Sequence, residues 1–127
     1  MTTPALKGLR TVIYPAPDLA RAKEWYARAL GLAPYFDEPF YVGFNVGGFE
    51  LGLLPDAPVA SAPSGVLSYW GVDDVPKAFA QLLAQGATAH EEPKNVGGEI
   101  VVASVLDPFG NIIGLIDNPD FNPATVR

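Results

Sequence analysis

Cysteine is absent from this chain, and histidine and methionine occur once each. Without cysteine there is no disulfide framework, no thiolate nucleophile and no thiolate metal site, which excludes secreted mini-proteins, zinc fingers and cysteine hydrolases. Long apolar runs are also missing, since no stretch approaches the roughly 18 residues of a membrane span. The opening MTTPALKGLR has no apolar segment of the secretory kind, so a cytoplasmic protein without a membrane partner is expected. Basic residues are scarce, 8 Lys and Arg against 14 Asp and Glu, for a formal net charge of -6. Nucleic acid is therefore not an expected partner, because its phosphates are met by clustered Lys and Arg, whereas cationic ligands remain compatible.

What the chain does have is 127 residues, 49% of them hydrophobic, with a positive mean hydropathy. That is enough for one domain with a real core, spanning 1–127. Its organisation is duplicated. From Asp18, DLARAKEWYARALGL places Leu19, Ala22, Tyr26, Ala29 and Leu30 on one helical face, with Asp18 as N-cap and Gly31 as stop. From Asp74, DVPKAFAQLLAQGA does the same with Val75, Ala78, Phe79, Leu82 and Leu83. Pro76 is tolerated in its first turn and Gly86 ends it. Each helix follows a strand, Leu9–Ala16 or Gly65–Val72, and precedes β-rich sequence broken by glycine turns. Both halves read β-α-β-β-β, and their endings echo, GLL at Gly52 against GLI at Gly114. Module one covers about 8–54, a Pro/Ala/Ser linker 55–64, and module two about 65–118. The predicted class is α+β, with paired βαβββ modules forming a curved mixed sheet around a cavity.

One feature of this pattern is unusual. In DPFGNIIGLID a glycine, Gly114, interrupts a strand of Ile and Leu. Strand interiors disfavour glycine, so it marks either a close approach or a larger residue that has been replaced.

The opening strand running into PDLARAKEWYARALGL, the mid-chain YWGVDDVPKAFAQLLAQGA and the closing DPFGNIIGLID together resemble the vicinal oxygen chelate superfamily. This is the glyoxalase, bleomycin resistance protein and extradiol dioxygenase group, and the likeness spans about residues 8–118. It is specific for the fold and weak for the reaction, because the fold hosts isomerases, lyases, dioxygenases, thiol transferases and non-catalytic drug-binding proteins. The resemblance implies a cavity between the modules and a homodimer that covers their open edges.

Metal-using members carry His and Glu ligands on four cavity strands. Carried onto this chain, the first position falls on Thr11, the third on Leu67 and the fourth on Gly114. The second is Glu50 if the EL pair is matched, or Gly52 if the internal repeat is followed. At most one of four ligands survives, so no metal and no cofactor is expected. Gly114 then reads as a vacated ligand position.

The face so defined is expected to present Thr11, Ile13, Glu50, Gly52, Leu67, Tyr69, Ile112 and Gly114 to a small molecule. Gly52 and Gly114 would leave room for a planar group to approach the sheet. Glu50 is the candidate catalytic residue: in an apolar cavity its pKa would rise, suiting a general base or a partner for a ligand cation. An exposed strand carboxylate is the competing description. Tyr69 shares a face with Leu67 and reads as a cavity wall, with Trp70, Trp25 and Tyr26 in the core. His90, the lone histidine, reads as a solvated residue on an edge strand. The tract DEPFYVGF puts Phe40, Tyr41 and Phe44 either at the cavity mouth or dimer seam or in ordinary strand packing. The glycine pairs Gly47-Gly48 and Gly97-Gly98 are hairpin turns, not phosphate loops.

Two functions fit. One is a metal-free binding module for a small apolar or cationic aromatic molecule. The other is a glyoxalase- or lyase-type enzyme with Glu50 as general base or a divalent ion held by groups not placed here.

Overall fold

The structure, a computed structural model, describes residues 7–57 and 67–125. The elements run β1 (Thr11–Pro15), α1 (Leu19–Leu30), β2 (Phe36–Glu38), β3 (Tyr41–Val46), β4 (Phe49–Leu54), β5 (Tyr69–Gly71), α2 (Val75–Ala84), β6 (Thr88–Gly97), β7 (Ile100–Leu106) and β8 (Ile112–Asp117). They build two four-stranded sheets of the same topology, β1-β4-β3-β2 and β5-β8-β7-β6, each mixed because its first strand lies parallel to its last. Most of the linker, from residue 58, and the start of the expected Gly65–Val72 strand lie outside the described residues. Where that strand is described it is short, only Tyr69–Gly71.

The helix boundaries follow local chemistry. Asp18 Oδ1 accepts the Arg21 amide at 3.3 Å, and Asp74 Oδ1 accepts that of Lys77 at 3.0 Å, each satisfying a first-turn donor. Gly31 closes α1 in the left-handed region at φ 68°. The second helix caps one residue earlier than expected, at Gln85, and Gly86 follows with φ 103°.

Both helices bury their apolar faces on one side of the sheets. Ala22, Trp25 and Tyr26 of α1 and Val75 and Phe79 of α2 share a cluster with Tyr14, Phe44, Leu51 and Leu53 of the first sheet. Val105, Ile113 and Leu115 of the second sheet complete it. Phe44, Leu51 and Leu53 are completely buried, and each contributes about 1.5–3 kcal/mol relative to exposure. Phe44 thus belongs to the core and not to a cavity mouth. Trp25 and Trp70 pack there as expected.

Polar contacts also tie the halves together. Tyr14 Oη pairs with Ser68 Oγ at 2.7 Å and accepts from Trp70 Nε1 at 3.1 Å. Trp25 Nε1 donates to the Gln85 carbonyl at 2.8 Å. Tyr26 donates to Asp107 Oδ2 at 2.6 Å, and Asn111 Nδ2 reaches the Pro15 carbonyl at 3.1 Å. Asp107, at the turn between β7 and β8, therefore fastens α1 of the first half to the second, and its neighbour in that turn, Asn111, fastens β1.

Strand β6 is longer than the sequence suggests and includes Pro93. As an edge strand it can lose a ladder donor there, and its register against β7 shifts at three places.

Candidate functional site

The side chains that alternate away from the helices define the face where a site was expected. In the first sheet Thr11 pairs with Glu50, and Ile13 with Gly52, which pairs in turn with Gly43. In the second, Tyr69 pairs with Gly114, which pairs with Ser104. This register makes Gly52 the counterpart of Gly114, as the internal repeat implies. Ile112 opens β8 beside the core residue Ile113 and points to the opposite side. Ile13, Leu67 and Tyr69 are 43%, 46% and 47% exposed. The curved sheets are not closed, so within one chain this face is an open surface rather than an enclosed cavity.

Neither central glycine leaves the room expected of it. A Cβ on Gly52 would overlap the Tyr41 hydroxyl, and one on Gly114 would stand 2.5 Å from the Ser68 carbonyl and 2.8 Å from the Tyr69 ring. Gly114 is therefore a close-approach glycine: strand β5 runs tight against it, with the Gly114 amide donating to Ser68 O at 3.0 Å. The chain has filled both gaps with its own aromatic rings, Tyr41 over Gly52 and Tyr69 over Gly114.

The pKa of Glu50 moves opposite to the expected direction. Tyr35 Oη donates to Glu50 Oε2, and Tyr41 Oη donates to Oε1 at 2.7 Å. These two phenols hold its pKa below the ordinary carboxylate value, Thr11 adds to the effect, and the smaller desolvation does not reverse it. Conversely the carboxylate raises the pKa of both tyrosines. In Tyr35 that hydrogen bond is the main cause, and in Tyr41 burial comes first. The cluster is a carboxylate carrying two neutral phenols. Gly43 is what lets it assemble, since Glu50 Oε2 and the rings of Tyr35 and Tyr41 converge within 3.4 Å of where its Cβ would stand. Phe36 and Phe40 extend it outward, with Phe36 6.0 Å from each of Phe40 and Tyr41 between ring centroids.

Sequence patterning missed two participants in particular. Tyr35 precedes β2, outside any alternation that could assign it a face. His90 is exposed, as expected, but its Nδ1 lies 2.8 Å from Oγ of the buried Ser104. The register of β6 passes from Ala89 to Glu91, so a bulge at His90 turns the imidazole onto Ser104 and the row that holds Gly114 and Tyr69.

Two recesses among the described residues lie elsewhere. One, of about 260 Å³, runs between α1 and α2 over Trp25, Trp70 and Ile113. The other, about 460 Å³, is an open depression between α1 and β2 beside the Lys23–Asp37 ion pair. Among the described residues no group of three or more His, Asp or Glu side chains converges as a metal site. At three of the positions expected to carry ligands, Thr11, Leu67 and Gly114 supply no carboxylate or imidazole. The donor set does not fit a divalent ion. No helix among the described residues is long and apolar enough to cross a membrane.

Solved structures share this architecture. A glyoxalase-related enzyme from Fulvimarina pelagi superposes with a TM-score of 0.72 at 22% identity, covering 90% of each chain. Lactoylglutathione lyase from Agrobacterium tumefaciens gives 0.72 at 18% identity, over 93% of this chain and 100% of that one. The bleomycin resistance determinant encoded on transposon Tn5 gives 0.68 at 20% identity, over 88% and 98%. At such identities the likeness speaks for the fold and not for a reaction. No curated protein sequence matches the chain. The family profile matches residues 8–115, and the chain belongs to the Glyoxalase/Bleomycin resistance protein/Dioxygenase superfamily.

Proposed function

We propose that this protein binds, without a metal and without turnover, a small flat apolar or cationic aromatic molecule on the sheet face opposite the helices. The supporting observation is the pair of tyrosines laid over glycines, Tyr41 on Gly52 and Tyr69 on Gly114, on a face where Ile13 and Leu67 are also exposed. Rings braced against backbone lose little entropy on binding a planar partner and offer it apolar area. Because the face is open in one chain, a second copy completes the site in this reading, and the protein works as a homodimer. The enzyme reading is disfavoured by the Glu50 environment. A base working near neutral pH needs a pKa close to it, and the phenols push this carboxylate the other way.

Calorimetric titration with a neutral planar aromatic such as coumarin tests the proposal, alongside Tyr69→Ala and Tyr41→Ala. Binding to the wild type that both substitutions abolish is the expected result. Binding that survives both places the ligand elsewhere. Metal analysis of the purified protein should find no stoichiometric divalent ion, and one equivalent per chain would overturn the metal-free reading.

A further inference from the structure

The Glu50 cluster differs from the rest of the face in carrying charge. Among the described residues the ion pairs are Lys23–Asp37, Arg28–Glu24 and Lys94–Glu91, and Glu50 is in none of them. Its partners are hydroxyls: Tyr35, Tyr41 and Thr11. A carboxylate held by hydroxyl donors keeps its full negative charge but has few oxygen lone pairs left to offer. Strongly hydrated cations need those lone pairs to replace lost water. A phenol that donates to an anion gains electron density in its ring, which strengthens the attraction of the ring face for positive charge. Tyr35 is 62% exposed and Phe40 61%, so these faces are accessible. The cluster spans the middle of the first sheet, with Glu50 on β4, Tyr41 on β3 and Tyr35 just before β2, and Thr11 of β1 reaches Glu50 from the other side.

We infer that Tyr35, Tyr41 and Glu50 form a seat for a quaternary ammonium group carried by the ligand of the sheet face. Such a group is weakly hydrated and demands no direct acceptor. It is held by the charge of Glu50 and by the aromatic faces together. The inference rests on the ligand-binding reading above and adds where the ligand's charged end lies, over β4 and β3 of module one.

The test is titration with benzyltrimethylammonium chloride, followed by calorimetry and by the aromatic proton resonances, at constant ionic strength against sodium chloride. The wild type should bind with saturable shifts in its tyrosine signals. Glu50→Gln and Tyr35→Leu should each weaken binding about tenfold, while Tyr35→Phe, which keeps the ring, should stay within about threefold. Coumarin binding should be unaffected by Glu50→Gln. Equal affinity of wild type and Glu50→Gln for the ammonium, or displacement by sodium ion at equal ionic strength, overturns the seat. Should Glu50→Gln fail to fold, Tyr35→Leu, at an exposed position, carries the comparison. If coumarin binds and the ammonium does not, the seat falls while the ligand-binding reading stands; if neither binds, both fall.

Discussion

Replacing Asp107 with alanine probes one of the contacts that join the two modules. The carboxylate is 4% exposed and accepts from Tyr26 Oη at 2.6 Å. It also accepts from the amides of Phe109 and Asn111 and from Asn111 Nδ2, each at 2.8 Å. In the alanine variant the last three donors sit at a partly exposed turn and can recruit water, and Asn111 Nδ2 keeps the Pro15 carbonyl. The Tyr26 hydroxyl cannot, because Tyr26 is 2% exposed. Stranding that donor costs about 1–3 kcal/mol, and losing charge-assisted bonds in the turn adds about 1.5–3 kcal/mol, so a total near 3–5 kcal/mol is expected. Against a typical domain stability of about 5–15 kcal/mol this is a large fraction, and it should lower Tm by about 10–20 °C. Urea unfolding followed by tryptophan fluorescence is the assay, because Trp25 packs edge-on against Tyr26 at 4.8 Å. A double-mutant cycle isolates the cause: in a Tyr26→Phe background there is no hydroxyl to strand, so Asp107→Ala should cost about 1–2 kcal/mol less. A loss under about 1 kcal/mol, or strict additivity with Tyr26→Phe, would refute the assignment of Asp107 as a fastening between modules.

Alkaline pH should destabilise the fold: burial first, and the nearby Asp107 second, keep Tyr26 protonated far above the ordinary tyrosine value, and burial raises Tyr14 as well. Their contribution is complete below about pH 10 and is lost as pH rises beyond it, so the urea midpoint should hold level and then fall, and a level midpoint up to about pH 12 would contradict this. Gly114→Ala should cost more than Gly52→Ala, about 1–3 kcal/mol, since its Cβ meets backbone oxygen whereas that of Gly52 meets a tyrosine hydroxyl that can swing aside; the reverse order in thermal melts would be decisive against the close approach. Chelator should leave Tm unchanged, because a structural ion would be linked to folding free energy, and a drop of several degrees would reveal one.

Much of this architecture was readable from periodicity and punctuation. The helices, their Asp caps and the duplicated strand order follow from local rules that tertiary structure did not override. The face assignment of Ile13, Glu50, Gly52, Tyr69 and Gly114 came from carrying the resembled family's ligand positions onto the strands and following their alternation. What patterning could not supply is how neighbouring strands use the space above a glycine. Gly52 and Gly114 resembled vacancies because a missing Cβ in one strand says nothing about a ring arriving from the next. The direction of the Glu50 shift was misjudged for a related reason: its donors come from Tyr41 on the adjoining strand and from Tyr35 beyond the strand ends, so the apolar surroundings are outweighed by two hydroxyls. His90 escaped because β6 is bulged, and a period of two cannot be carried across irregular register.

The duplicated backbone thus carries unlike chemistry in its two halves. In module one the ring over the central glycine comes from β3, as Tyr41, and the first-strand residue beside that glycine is Ile13. In module two the ring comes from β5, as Tyr69, the residue at the place of Ile13, while β7 contributes Ser104 with its His90 partner. Superposing one half on the other would therefore match strand for strand and mismatch group for group. A carboxylate held by phenols lies on one side, and a tyrosine beside a serine–histidine pair on the other. An unsymmetrical face of this kind distinguishes the two ends of a molecule laid across it. On the proposed reading, a ligand with a cationic end and a neutral end would be bound in one orientation, because only the end at Tyr35 and Tyr41 offers a counter-charge, Glu50.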